Sequence, residues 1–374
     1  MTGRAPALAM LAAGVNATSV LVSLPVLAAG MAAQAGGGER AIGILASADM
    51  AGSALASLAV LPFIARAHWR ALALIAMFVV VAGNAWSAMA QGLTPLAAAR
   101  VVTGAGSGIV VALTFVGLCH SASPDRYFGL YVFAQLLLQA LLMWAFPIAV
   151  AASGMWLVYA VLAAGTAASA LLVPCFPRTA ADAGLTSAAE KSPLTARSGF
   201  TGLAAQAAYF IAAGAAWSYL EPIGANFGLN TPAVGRTLSA AAFAGIVGAL
   251  LVIALAARLV RVKGLAAGTF ASVAAVVLLC GSGPAAQFVA AAALFTFAWN
   301  FTFPWQMGLL AQFDHSGGIA IASLVVQLFA LAAGPLLAAA ALPWSGYGGI
   351  LLGGAALFLA SLVLFATAAR QGAR

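Results

Sequence analysis

A carboxylate and a guanidinium stand inside otherwise apolar sequence. Asp49 lies about eight residues into one apolar stretch and Arg100 about six into another, at 1.5 Å per residue roughly 12 and 9 Å from the same membrane face. Ionisable groups in such surroundings are rare, costly and usually functional. An acid beside a permanently charged Arg can act as a proton or anion switch. The same two groups can equally form a static salt bridge that fixes packing, or touch interfacial headgroups separately. Tyr131, Gln135, Gln139 and Met143 follow at i, i+4, i+8 and i+12, which is nearly one stripe down a helix. An amide both donates and accepts, so two stacked amides beside an aromatic suit a polar, uncharged part of a ligand. Glue between helices is the other use of such glutamines. Ser323 and Gln327 repeat the device more faintly.

Trp299-Asn300 and Pro304-Trp305-Gln306 combine aromatic and amide surfaces with a proline that removes a backbone donor and frees a carbonyl, so this segment can bend and bind. Tryptophans in such segments also serve as packing or interface anchors. Gly334-Pro335 reads as a hinge or packing point. Glu221 and Arg236 flank a turn containing Pro222 and Gly224; they form either a solvated loop pair or, since Glu221 follows Trp217 by one helical turn, a closure over a cavity. His68, His120 and His315 fall between apolar segments with Asp125-Arg126 and Asp314 nearby, and no metal-ligand spacing joins them. Cys119, Cys175 and Cys280 show neither CxxC spacing nor even pairing and read as packing residues. There is no Walker loop, no pair of carboxylates at catalytic spacing and no Ser, His and Asp constellation. The expectation is therefore a protein that is not an enzyme, with no cofactor and no metal.

The elements that must hold these residues follow from composition. Of 374 residues 64% are hydrophobic and 6% charged, with mean hydropathy +1.09, whereas soluble domains carry about a quarter charged residues. That excludes a soluble enzyme, a secreted scaffold and a DNA-binding module. The net charge of +8 would suggest nucleic acid in a soluble chain, but no basic run exists and no nucleic-acid partner is expected. Apolar segments of spanning length run roughly 8–32, 41–65, 71–90, 95–118, 128–150 and 155–176, then 200–222, 233–257, 264–281, 286–310, 319–341 and 347–368. Unbroken apolar segments mean helices, because lipid leaves every backbone polar group to be satisfied internally. The first could mimic a signal peptide, but it is long for one and has a polar face of its own. The fold class is thus an all-α polytopic membrane protein of twelve transmembrane helices in two six-helix halves, 1–177 and 200–374, joined by a polar linker, 178–199. Sorting Lys and Arg by side puts twelve on one face, among them Arg4, Arg66, Arg70, Arg126, Arg178, Lys191, Arg258, Lys263 and Arg370, with Arg40 and Arg236 opposite. The positive-inside rule then makes both termini and the linker cytoplasmic.

An ungapped shift of 192 residues lays Ala41-Ile42-Gly43 on Ala233-Val234-Gly235, Ser47-Ala48 on Ser239-Ala240 and Ala65-Arg66 on Ala257-Arg258. A shift of six helices keeps orientation, so these are parallel repeats. Leu61-Pro62-Phe63-Ile64-Ala65-Arg66-Ala67-His68-Trp69-Arg70 resembles a degenerate basic loop motif of the major facilitator superfamily, without its aspartate. Arg100-Val101-Val102-Thr103-Gly104-Ala105-Gly106-Ser107-Gly108 is similar to that superfamily's Arg-then-glycines motif. The fifth span lacks the glycine-proline-glycine pattern of drug:proton antiporters, which weakens drug efflux. The resemblance covers essentially the whole chain. It implies a rocker-switch secondary transporter, with spans 1, 4, 7 and 10 lining a cavity and 3, 6, 9 and 12 outside. Spans 1, 7 and 10 are indeed the polar ones, with Asn16, Thr18 and Ser19, then Gln206, Tyr209 and Trp217, then Trp299 and Asn300, while 9 and 12 offer little. The expected site is Asn16, Tyr131, Gln135, Gln139, Trp217, Trp299, Asn300 and Gln327 for substrate, with Asp49, Arg100 and Glu221 for proton coupling or gating. The expected partners are a small organic solute and membrane lipid, the expected place the inner membrane, the expected state a monomer. A non-transporting receptor or assembly factor on the same scaffold is the alternative.

Overall fold

A computed structural model of the chain describes residues 4–121, 124–183, 197–255, 258–313 and 318–372. His315, Asp314 and Lys191 fall outside them. The regular elements are helices: α1 Arg4–Ala17, α2 Ser19–Ala35, α3 Gly38–Ile64, α4 Trp69–Met89, α5 Leu93–Cys119, α6 Pro124–Ser153, α7 Met155–Ala170, α8 Arg197–Ser218, α9 Leu220–Asn226, α10 Thr231–Leu255, α11 Arg261–Leu278, α12 Ala285–Leu310 and α13 Gly318–Gly372. α1 and α2 make one span. α13 makes two, since its apolar part, Ala322–Gly372, has 51 residues and bends at Gly346 (φ 59°, ψ −171°). Twelve spans result.

Two corrections to the expected boundaries matter for the site. α3 and α5 begin at Gly38 and Leu93, earlier than hydropathy suggests, so Asp49 and Arg100 sit about 16 and 10 Å inside. Gly36 and Gly38 have φ of 64° and 60°, a left-handed turn open to glycine, and it lets α3 start almost where α2 stops. The first span is also not continuous. It breaks at Thr18, whose hydroxyl and amide both bond Val15 O (2.8 and 3.1 Å) while Ser19 Oγ bonds Asn16 O, the familiar competition of hydroxyl side chains with the helix ladder.

The chain divides into two compact units, Met1–Ala189 and Glu190–Arg374. In the first, α3 packs on α5 and α5 on α4 with glycine at the contacts. A Cβ at Gly104 would land on the Asp49 carbonyl, at Gly108 on that of Ser53, at Gly52 on that of Val101, and at Gly106 on that of Ala76. Small residues let backbones approach where lipid removes the hydrophobic drive between helices. The Arg-then-glycines segment is thus a packing surface. At one end of this unit Trp69 is fully buried, its indole donates to Ile64 O (2.9 Å), its amide to Arg178 O (2.8 Å), and Arg70 Nε to Phe176 O (2.8 Å). Ala180 and Ala183 pack into the same cluster, so residues 178–183 of the expected linker are docked on the first unit. The backbone N–H of Thr179, first among its contacts, holds the Asp182 carboxyl below the usual carboxylate range.

In the second unit α8 packs along α13, and α12 against α10 and α11. Again glycines permit it: Gly334 abuts the Ile211 carbonyl, Gly248 that of Phe297, and Gly264 the Trp305 ring. Each unit also carries large apolar side chains on its outside. Phe78 is 72% exposed and Ile253 74%, as a lipid-facing surface requires. Cys119 and Cys175 are exposed at segment ends and Cys280 is partly so, which corrects their reading as packing residues.

Candidate functional site

In the first unit everything converges on Arg100, which is fully buried, with Asp49 2% exposed. Nη2 and Nε donate to the same carboxylate oxygen, Asp49 Oδ1, at 2.9 and 3.1 Å. Nη1 donates to Asn84 Oδ1 (3.1 Å) and Ser87 Oγ (3.3 Å). The guanidinium carbon lies 5.7 Å from the Tyr159 ring centroid, within cation–π range. Tyr159 donates to Gln34 Oε1 (2.9 Å), and Gln34 Nε2 reaches back to Ser87 O and Ala90 O (2.9 and 3.1 Å). A guanidinium cannot shed its proton, so burial demands this many partners. They come from three other helices, α3, α4 and α7, with Gln34 of α2 behind Tyr159. This is the one ion pair among the described residues.

Asn84, Ser87, Tyr159 and Gln34 were not anticipated. The readable signal was polar side chains in the third and sixth spans, which the resemblance places outside the cavity. Those spans supply Asn84, Ser87 and Tyr159, three of the four side chains at the guanidinium, and Gln34 comes from the first span.

Asn16 lies at the α1–α2 break, half-buried, with Nδ2 on Thr166 Oγ1 (3.3 Å). The glutamine stripe on α6 faces inward: Tyr131 is 3% exposed with its hydroxyl toward Gly14 O (3.5 Å), Gln139 6% exposed, Met143 fully buried, and Gln135 half-buried. Gln139 Nε2 has no partner, so at present this amide glues nothing through its nitrogen. Tyr131 on α6 thus reaches α1 at Gly14 and Asn16 reaches α7 at Thr166; the structure does not tie either to the Asp49–Arg100 pair by a direct bond.

In the second unit Trp217 stacks on Phe295 (centroids 6.3 Å, planes 8° apart), and Trp299 meets Trp217, Phe295 and Phe210 edge-on at 6.3, 6.0 and 5.7 Å. Trp217 is buried; Trp299, Asn300 and Gln327 are half-buried. Asn300 Nδ2 is spent on Thr296 O (2.9 Å). One turn from Gln327, Ser323 Oγ donates to Gln206 Oε1 (2.7 Å) and lies 3.1 Å from Met307 Sδ. Thus Trp217 and Trp299 come together as one aromatic cluster. Trp305 and Gln306 do not join it: both are buried and the Gln306 amide has no partner. Glu221 accepts from Thr231 Oγ1 (2.6 Å) and makes no ion pair with Arg236, which is exposed. That corrects the expected Glu221–Arg236 pairing: α9 and the start of α10 place a threonine, not the arginine, against the carboxylate.

Twelve helical spans in two units, with a buried ion pair in the first and an aromatic–amide cluster in the second, define a multi-pass membrane protein with the fold of the major facilitator superfamily. Solved structures with that fold include the nucleoside transporter NupG, similar at TM-score 0.71 and 13% identity over 98% of each chain. A variant of NupG aligns at TM-score 0.74 and 12% identity over 98% of this chain and 99% of that one. The human organic anion transporter MFSD10 aligns at TM-score 0.66 and 16% identity over 96% and 98%. No family model matches the sequence, nor does any curated protein.

Proposed function

We propose that this protein is a secondary active transporter of the cytoplasmic membrane, moving a small organic solute by rocker-switch alternating access and coupled to protons at Asp49. The observation that carries the reading is the buried Asp49–Arg100 pair: in a fold shared with transporters, the sole described ion pair lies inside the first unit with both Arg100 contacts on one carboxylate oxygen. Oδ2 receives no hydrogen bond from the described residues and is the atom that takes the proton. In the first unit the substrate-binding candidates are Asn16, Tyr131, Gln135 and Gln139, and in the second, taken by itself, they are Trp217, Trp299, Asn300 and Gln327. These groups are amides and aromatics, which favours an uncharged or amphipathic solute. Lys and Arg placement supports cytoplasmic termini.

A change of Asp49 environment by separation of α3 from α5 is disfavoured by their glycine contacts, which seat the two backbones on each other. The test starts from a thermal-shift screen of nucleosides and organic anions on detergent-purified protein, since a ligand of the folded state raises apparent stability. The best ligand is then followed in proteoliposomes. Asp49→Asn keeps an oxygen for Arg100 but cannot change charge; it is expected to lose uptake driven by a pH gradient and to keep counterflow exchange. Unchanged gradient-driven uptake would remove Asp49 from coupling, and binding without flux under any gradient would replace transport by a receptor role.

A further inference from the structure

Inside the first unit, beside the ion pair, lies a cavity of about 20 Å³ whose walls include Asn16, Asn84, Thr103, Ser107 and Thr166. Its position is informative. Asn16 is the last polar residue before the α1–α2 break, and Asn84 is the side chain whose Oδ1 accepts from Arg100 Nη1. Ser23, Ser87 and Thr103 satisfy their hydroxyls on the carbonyl four residues back. Ser107, at 6% exposure, does not, and it bonds to no other described residue. Ser107 is a buried residue on the cavity wall whose hydroxyl takes no protein partner among the described residues. The other walls have capacity left. Asn84 uses one N–H on Val80 O and one acceptor site on Arg100, and Asn16 uses one N–H on Thr166, so each amide retains a donor and an acceptor site.

We propose that this cavity is a hydration site, in which water bound to Ser107 and Asn84 bridges them to Asn16 at the bend of the first span. The volume fits one water, which needs at least about 10–15 Å³ and two to four polar partners. The consequence rests on the reading of Asp49 as the coupling group: a substrate that pulls on Asn16, or a change in the α1–α2 bend, alters the water, and through Asn84 alters how firmly Arg100 is held away from or on Asp49. Because α3 and α5 are locked together, this gives the pair a route by which span 1 reaches it without their separation.

The experiment reads the Asp49 titration directly, by the infrared carboxyl stretch of purified protein, with Asp49→Asn as the blank. The charged and titratable groups that face Asp49 are Arg100 on α5 and Tyr159 on α7; α2 carries none. Both groups are kept in every variant. Asn16→Ala is expected to move the midpoint by about half a pH unit or more, threefold in proton affinity. Ser107→Val, which fills the cavity with methyl groups, is expected to move it too and to make the further change Asn16→Ala silent. Ser107→Ala, which removes the hydroxyl but leaves the room and the other partners, is expected to weaken the Asn16 effect and serves if the valine variant does not fold, an undiminished Asn16 effect there counting against the bridge. An Asn16 effect equally large in the Ser107→Val background overturns the bridge, as does xenon entering the wild-type cavity, because apolar gas occupies dry cavities and not hydrated ones. Neither measurement uses transport, so failure here leaves the transporter reading standing and absence of flux leaves the hydration site standing.

Discussion

Arg100 has five N–H groups, and four of its hydrogen bonds are accounted for by Asp49 Oδ1, Asn84 and Ser87. Removing one partner of a buried pair leaves an uncompensated charge, typically at about 3–5 kcal/mol, whereas removing both is far cheaper. Arg100→Ala is therefore expected to lower the thermal midpoint strongly by stranding Asp49, and Arg100→Lys to lower it less while losing the planar fork that serves two directions at once. Arg100→Ala with Asp49→Ala is expected to recover most of the lost stability, read by thermal unfolding in detergent, and to remain without gradient-driven transport. Wild-type transport in the double variant would show that neither charge belongs to the mechanism. The two charges were legible in sequence because an ionisable residue within 20 apolar ones stands out. Asn84, Tyr159 and Gln34 were not, because a lone amide or phenol in a span is ordinary until something brings it within 3 Å of another polar atom.

At the scale of elements, the pair depends on how closely α3 and α5 approach, and that is set by Gly52, Gly104 and Gly108 against facing carbonyls. A methyl group pointed at a backbone carbonyl has no flexible neighbour to displace, so the helices themselves must part. Gly104→Val is thus expected to push α3 outward, to lengthen the Asp49–Arg100 contact and to destabilise the protein by at least about 1–3 kcal/mol, the usual range of overpacking. Gly129→Val, whose Cβ meets nothing within 4 Å, is the control and should unfold close to wild type. Equal midpoints for the two would mean that glycine packing does not position the pair. The break in the first span belongs to this scale as well. Hydropathy runs straight through Thr18, and Pro25, the visible helix breaker, lies inside continuous α2. The bend is instead made by two hydroxyls that take backbone carbonyls at Val15 and Asn16.

For the whole molecule, the repeat read in sequence coincides with the helix starts: α4 and α11 begin at 69 and 261, α5 and α12 at 93 and 285, the same offset of 192. The native cysteines report the sidedness. With cytoplasmic termini, Cys119 after the fourth span and Cys175 after the sixth face the cytoplasm, and Cys280 after the ninth faces outward. An impermeant maleimide on intact cells is expected to label Cys280 alone. Cys119 and Cys175, both exposed, should label only once the membrane is opened. Burial pushes the Cys280 thiol up, and the thiolate is the reacting form, so its labelling should quicken as pH is raised. Labelling of Cys119 or Cys175 in intact cells would invert the orientation.

What the amino-acid order determines alone is what lipid enforces locally. A span is a run of about 20 apolar residues that satisfies its own backbone, so the number of spans, their division into two similar sets and the oddity of Asp49 and Arg100 can all be read from one neighbourhood at a time. Who partners Arg100 cannot, because it depends on the rotation and height of five helices whose contacts are made by glycines tens of residues apart. The same is true of the separation of Glu221 from Arg236, and of the cavity at Ser107: polar groups in a bilayer take the nearest available partner, and nearness is decided only when the helices pack.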